Sequence, residues 1–327
     1  MEVGKIPNDI LKNLILDKIR YTRSDVLIKP KIGEDCSAID FGENVCVLST
    51  DPITGAVNEV GRLAVHVSCN DIASSGVEPI GLMITLLAPA GTTEADLGFI
   101  MGQVCDTAAS LNVDILGGHT EITTAVNRFV IISTAVGKAL KERLVTTSGA
   151  KPGDSIIMTK SAGIEGTAII AFDKEKELAD KLGRELVNKA KEFVNQISVV
   201  KEGVIAGEFG VNSMHDVTEG GILGAVWEVA EASGVGIEIY KEKIPVEPET
   251  LEISRFYGID PYRLISSGCM IICSDRGNEL VRMLCQHNVK ATIIGKITAE
   301  NRKILVCEDN IEDIHQPLSD ELFKVIK

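Results

Sequence analysis

Three aspartates stand where this sequence changes from one element to the next. Asp35 follows the turn Gly33-Glu34, Asp51 closes the apolar run Val45-Cys46-Val47-Leu48-Ser49-Thr50, and Asp71 lies in Cys69-Asn70-Asp71-Ile72-Ala73-Ser74-Ser75-Gly76-Val77-Glu78-Pro79. Magnesium takes octahedral oxygen ligands and keeps several waters, so one carboxylate from each of several loops plus phosphate oxygens makes a workable shell. Glycines at candidate turns, Gly117-Gly118, Gly163 to Gly166 and Gly220-Gly221, supply a second feature. Without a Cβ the backbone N–H groups approach phosphate closely, and a following helix N-terminus adds its dipole. Together these residues point to the handling of a nucleotide with magnesium. Taken singly, each acid also reads as a turn or cap residue. His119, between Gly118 and Thr120, and His215, before Asp216, are candidate ligands or acid–base groups, whereas His66 reads as structural.

The elements that must position these residues follow from periodicity. Val60, Leu63, Ala64, Val67 and Ile72 recur at helical spacing, which predicts an amphipathic helix from near Glu59. Asn70 and Asp71 interrupt its apolar pattern, Gly76 stops it and Pro79 prevents its return. Pro7-Asn8-Asp9 ahead of Ile10, Leu11, Leu14, Ile15 and Ile19 predicts a capped amphipathic helix. Strands are expected over 45–50, 80–87, 113–116, running into a Gly117-Gly118 turn, and 128–137, with a helix over 93–112. The polar stretch 138–153 reads as a domain boundary, giving units at 1–150 and 151–327. Beyond it we expect strands at 155–159, 212–216, 237–244, 269–274 and 291–297. Helices are expected after Gly163, as one exposed element over 174–195, and over 220–233.

Composition narrows the classes. The chain has 327 residues, 45% of them hydrophobic and 24% charged, which is globular rather than disordered. A net charge of −14 argues against a nucleic-acid partner, which favours a basic face. No apolar run reaches the roughly 20 residues of a membrane span, and Met1–Lys5 carries no secretion signal, so a cytoplasmic protein without a membrane partner is expected. The eight cysteines are scattered without a CxxC pair, which fits a reduced compartment. No GxxxxGK[ST], kinase set, GxSxG elbow or HxxxH spacing is present.

In this order the motifs resemble the aminoimidazole ribonucleotide (AIR) synthase superfamily, which includes thiamine-monophosphate kinase, selenophosphate synthetase and the hydrogenase-maturation protein HypE. The resemblance rests on Gly33-Glu34-Asp35, Ser49-Thr50-Asp51, Asn70 to Pro79, Gly117-Gly118-His119-Thr120 and Lys151-Pro152-Gly153-Asp154. His215-Asp216-Val217-Thr218-Glu219-Gly220-Gly221 is most similar to the HypE branch. The resemblance implies an α+β fold of two AIR synthase-like (PurM-like) domains. The N-terminal mixed sheet would form a barrel with that of a second copy, and the C-terminal unit would be an α/β sandwich. It also implies ATP and Mg2+ as cofactors, bound in a cleft between subunits and domains. Asp35, Asp51 and Asp71 would be the metal or phosphate-side ligands. Asn70, Gly117, Gly118, Thr120, Gly163 and Thr218 would contact the nucleotide, with Asp71, His119 and Asp216 at the chemistry.

Three departures bear on the reaction. The C-terminal cysteine of HypE is absent, since the chain ends Leu322-Phe323-Lys324-Val325-Ile326-Lys327, so its dehydration would not run in the usual way. His119 replaces an aspartate, and Ser266-Ser267-Gly268 replaces an expected Asn-Glu-Gly. The expectation is therefore an ATP- and magnesium-dependent enzyme acting on an oxygen of a small acceptor. The alternatives are a non-catalytic nucleotide-binding factor with a maturation partner protein, and a thiamine-monophosphate kinase-like phosphotransferase.

Overall fold

Alternating apolar residues build two mixed sheets, each covered by helices. The structure, a computed structural model, describes residues 6–21, 23–54, 59–308, 310–317 and 319–326. The segment Met1–Lys5 and the final Lys327, both used in the sequence reading, lie outside the described residues.

The first half contributes α1 (Asn8–Leu14), β1 (Val26–Ile28), β2 (Ser37–Phe41), β3 (Asn44–Ile53), α2 (Val60–Ser74), β4 (Pro79–Pro89), α3 (Glu94–Ser110), β5 (Asp114–Thr123) and β6 (Val130–Leu140). Its six strands lie in the order β1-β2-β3-β6-β4-β5. Only β4 and β5 pair in parallel, joined through α3 as a crossover. Ala38, Val45, Val47, Leu82, Ile84, Leu86, Ile131 and Ala135 point to the face that α2 and α3 cover.

The second half contributes β7 (Ser155–Thr159), α4 (Ile164–Asp173), α5 (Glu175–Leu182), α6 (Arg184–Lys191), α7 (Val200–Phe209), β8 (Ser213–Asp216), α8 (Gly221–Ser233), β9 (Gly236–Tyr240), α9 (Pro248–Tyr257), β10 (Met270–Ser274), α10 (Gly277–Gln286), β11 (Ala291–Thr298), β12 (Lys303–Cys307) and β13 (Asn310–Asp313). The sheet order is β13-β12-β9-β11-β7-β10-β8, with β9 and β12 parallel. Ile156, Met158, Ile271 and Cys273 face α8, while Ile157, Met214, Met270 and Ile272 face α7 and α10. Burial on both faces explains why β10 reads as a continuous apolar run rather than an alternating one.

Several expectations change. The helix α2 has the expected position but is buried almost all round, because it lies between the first sheet and α7. Gly117 and Gly118 form no turn: they sit inside β5, at φ 149° and 153°. A Cβ on Gly118 would collide with the Ile84 carbonyl of β4, so the parallel pairing requires glycine there. The single helix expected over 174–195 is broken at Gly183, whose φ of 95° cannot continue it. The first helix is short, has no side-chain cap, and leaves Leu14 and Ile15 exposed. Among the described residues no helix is long and apolar enough to cross a membrane.

The two halves pack closely where α7 crosses α2. A Cβ on Gly207 would stand 2.7 Å from both Cα and O of Gly76. Both neighbours are backbone, so relief requires the helices to part. Gly207→Ala is therefore expected to lower stability by about 1–3 kcal/mol. By contrast Gly98→Ala, in α3 with open space around it, gains roughly 0.5–1 kcal/mol from helix propensity. Thermal or urea unfolding of the two variants checks this contrast; equal midpoints would contradict the close contact.

Candidate functional site

The central helix delivers Asp71 to a cleft of about 310 Å³ that both halves line. Asp35 and Asp51 join it from the first half, and Glu165, Thr218, Glu219 and Ser267 from the second. Asp71 is 4% exposed. The Ser49 hydroxyl donates to Asp71 Oδ2 in a short hydrogen bond and stands 3.4 Å from Asp51 Oδ2, so it links the two carboxylates. Burial pushes the Asp71 carboxyl well above the usual carboxylate range, and Asp216, Asp51 and Asp35 push it further.

Asp35 is placed by an arm held both by the 147–148 segment and by the second half. The Glu34 carboxylate accepts from the N–H groups of Thr147 and Ser148 at 3.2 and 3.1 Å, and Lys31 Nζ donates to the Ala232 carbonyl at 3.0 Å. Gly33, at φ +81°, fits beside Ala232 and the carbonyl of Glu228. Asp35 Oδ2 then lies 2.8 Å from His215 Nδ1, while His215 Nε2 lies 3.0 Å from Glu228 Oε2. Burial acts to lower the pKa of His215, but the flanking carboxylates Asp35 and Glu228 hold it well above its ordinary value. The ligand atoms of Asp35, His215 and Asp216 all fall within 4.8 Å of one another.

This donor set fits a hard divalent cation. Asp35, Asp51, Asp71 and Asp216 offer only carboxylate oxygens, and their mutual repulsion, read out at Asp71, is what a divalent ion would relieve. No Lys, Arg or His is found among the described residues that line the cleft.

Other expected site residues lie elsewhere. Asn70 does not line the cleft: its amide donates to the Ile197 carbonyl and accepts from Val199 N–H, both at 2.8 Å. It ties α2 to the segment before α7. Gly163 is not among the residues that line the cleft; it caps α4 in the left-handed conformation, and its N–H donates to Ser266 Oγ at 2.7 Å. Gly117, Gly118, His119 and Thr120 lie on β5, which β6 and β4 separate from β3 and Asp51. They line a separate shallow depression with Ile84 and Met101, and His119 pairs with Glu121 at 3.5 Å.

The structure adds groups that sequence reasoning missed. Glu165, in the first turn of α4, is 5% exposed; its Oε2 accepts from Ser267 N–H at 3.1 Å. Burial pushes its carboxyl up to about 7, partly offset by the Ser267 hydrogen bonds. Asp320 accepts from Gly220, Ile265 and Leu322 N–H at 2.7, 3.1 and 2.8 Å, which holds Leu322 and Phe323 as a wall of the cleft. Burial pushes the Asp320 carboxyl up to about 6. Glu228 belongs to the same class of missed residues. Each is a lone acid in a helix or tail whose partner is remote in sequence, and no local signal marks it.

The raised carboxyls fix the sign of a pH dependence. Glu165 and Asp320 keep their protons in the folded chain up to about 7 and about 6, against ordinary values of 4.5 and 3.8. Between those limits the folded state binds more protons than the unfolded one, so stability falls as pH rises from about 4 to about 7. In chelator-treated buffer the melting temperature is expected to drop by several degrees across that window. Magnesium should recover more of the loss at pH 8 than at pH 5. A melting temperature that rises with pH over this range would contradict the reading.

Two family models cover most of the chain. AIR synthase related protein, N-terminal domain, matches residues 33–139, and AIR synthase related protein, C-terminal domain, matches residues 151–308. A putative hydrogenase expression/formation protein of Methanocaldococcus jannaschii is 28% identical, over 93% of this chain and 91% of the relative. A carbamoyl dehydratase HypE of Rhizobium leguminosarum bv. viciae is 28% identical, over 83% and 79%. A thiamine-monophosphate kinase of Pyrococcus horikoshii is 27% identical, over 86% and 87%. Among solved structures, a HypE–HypF complex superposes with a TM-score of 0.74 at 22% identity, covering 94% of this chain and 99% of that one. HypE in complex with ATP gives 0.70 at 20%, covering 98% and 96%. The chain has the two-domain α+β architecture of these proteins and belongs to the AIR synthase related family.

Proposed function

We propose that this protein is an ATP- and magnesium-dependent enzyme that phosphorylates or otherwise activates an oxygen of a small acceptor in the cytoplasm. The observation that carries this reading is the set of carboxylates Asp35, Asp51 and Asp71 lining one cleft, with Asp216 close to Asp35 and acting on Asp71, and with repulsion that a divalent ion would relieve. Relatives named as a carbamoyl dehydratase and a thiamine-monophosphate kinase, and a similar structure described in complex with ATP, support it. Residues 1–150 would form the nucleotide-binding and dimerising domain, and 151–327 the second domain.

In this reading Asp35, Asp51 and Asp71 hold magnesium, with Asp216 beside them, and Thr218 lies against the nucleotide. Bound magnesium would supply charge neutralisation at the phosphates. The protein's own part is positioning. Ser49 fixes the orientation of the Asp71 carboxylate toward Asp51. His215, held by Glu228, fixes Asp35. His119 has no role in the cleft of its own chain.

A homodimer through the first sheet accommodates the residues on β5. The face opposite α2 and α3 is apolar and open: Ile80 is 47% exposed, Met83 51% and Leu116 57%. A second copy seated there would bury that face and bring Gly117, Gly118, His119 and Thr120 to a subunit boundary. The solved HypE–HypF complex favours a second partner, a maturation protein, which this chain would engage in the accessory-factor reading.

Calorimetric titration of ATP with and without magnesium tests the enzyme reading. Wild type should bind only with magnesium, and Asp71→Asn should weaken that binding at least 10-fold without loss of melting temperature, since it removes a buried charge but keeps the Ser49 contact. No binding by wild type would sink the reading. For the dimer, sedimentation should give twice the chain mass of 35.1 kDa, and Met83→Glu should give monomer. A wild-type monomer would overturn it.

A further inference from the structure

Glu165 has no structural need to be an acid. Its one backbone partner, Ser267 N–H, would be equally well served by the amide oxygen of glutamine, and no Lys, Arg or His of the described residues pairs with it. A buried carboxylate without a cation costs stability that a neutral isostere avoids. Yet the fold holds this one rigidly. Gly163 N–H donates to Ser266 Oγ and Gly166 N–H to the Ile265 carbonyl, at 2.7 and 3.0 Å, which clamps the first turn of α4 onto residues 265–267. A Cβ on Gly166 would stand 2.5 Å from Leu264, so the helix lies directly on that segment. The clamped carboxylate opens on the same cleft as Asp35, Asp51 and Asp71. Groups locked by their own supports in this way are typical of reacting positions.

The walls restrict what shares the cleft with it. Glu219 adds a further acid, Leu63, Ile169, Leu322 and Phe323 are apolar, and no described lining residue is cationic. An anionic acceptor such as a phosphate or carboxylate would meet acids, apolar surface and the hydroxyl residues Thr218 and Ser267 on this side, but no cation to offset its charge. A neutral or cationic acceptor carrying its own proton fits.

We propose that Glu165 is the general base of the reaction, and that the acceptor is a neutral or cationic molecule whose attacking oxygen bears a proton, a hydroxyl compound in chemical class. The acceptor oxygen forms a bond to the γ-phosphorus of the nucleoside triphosphate. The bond from that phosphorus to the bridging oxygen breaks, its electron pair leaves with the diphosphate, and the acceptor proton passes to Glu165. A carboxyl held near pH 7 suits that transfer at neutral pH. This inference rests on the nucleotide reading above and assigns the acceptor side of the same cleft.

The test uses water as the simplest protic acceptor, in the full chain. Magnesium–ATP binding is measured by calorimetry and phosphate release by single turnover with enzyme in excess, for wild type, Glu165→Gln and Glu165→Asp. We expect Glu165→Gln to bind magnesium–ATP within about 3-fold of wild type and to release phosphate about 100-fold more slowly or worse. The wild-type rate should rise through pH 7, and this rise should vanish in Glu165→Gln. Glu165→Asp should keep the rise at a reduced rate, and its behaviour also decides the matter if Glu165→Gln fails to fold. Glycerol should compete with water as acceptor, whereas inorganic phosphate and acetate should not. Binding with no release, or release that Glu165→Gln leaves unchanged, overturns the base assignment alone. Capture of the phosphoryl group by inorganic phosphate overturns the acceptor class. Failure of wild type to bind magnesium–ATP instead removes the nucleotide reading on which both stand.

Discussion

Asp71 lies out of water under the fields of Asp216, Asp51 and Asp35. Like charges at close range in a poorly solvated site repel strongly, so this grouping exists only because surrounding structure imposes it. Much of the molecule can be read as the means of doing so. Asp51 comes from the end of a long central strand, Asp71 from a helix packed between the first sheet and α7, and Asp35 from an arm held through Glu34 to the 147–148 backbone and through Lys31 to the other half. His215 compensates in part on the protein's side: it sits between Asp35 and Glu228, so its charge is shared between two carboxylates.

The same constraint explains why the two halves cannot be understood apart. The helix α2 is a core element for both, with one side on the first sheet and another on α7. Asn70 spends both ends of its amide on the 197–199 backbone, one residue before the acid that matters most. Cys36 donates to the Asp71 carbonyl, and Ser74 donates to the same atom. A carboxylate buried at this cost is thus held by its backbone as well as by its side chain, and small displacements are resisted from several directions.

Residue types announced much of this in the sequence, and the exceptions share a cause. Asp71 between an apolar helix and Gly76 was legible because a local pattern was broken there. The three acids Asp35, Asp51 and Asp71 were legible as candidates because each stands near a change of element. By contrast Gly117-Gly118 reads locally as a turn, and only its pairing with Ile84 across the sheet shows why glycine stands in a strand. Asn70 looked like a ligand because nothing near it in sequence shows the backbone, well over one hundred positions later, that it bonds. Glu165, Glu228 and Asp320 sit in helices and a tail where an acid is unremarkable on the surface. Burial, a tertiary property, is what makes them informative. The break at Gly183 was visible as a glycine but was outweighed by a charge pattern that continues on both sides.

Gly76 and Gly207 pack so closely that a methyl group on Gly207 would stand 2.7 Å from the Cα and the carbonyl oxygen of Gly76. The absence of a side chain at 207 is thus what lets α7 approach the end of α2, the helix that carries Asp71. The placing of that acid depends in this way on a residue that touches none of the carboxylates and has no side chain of its own.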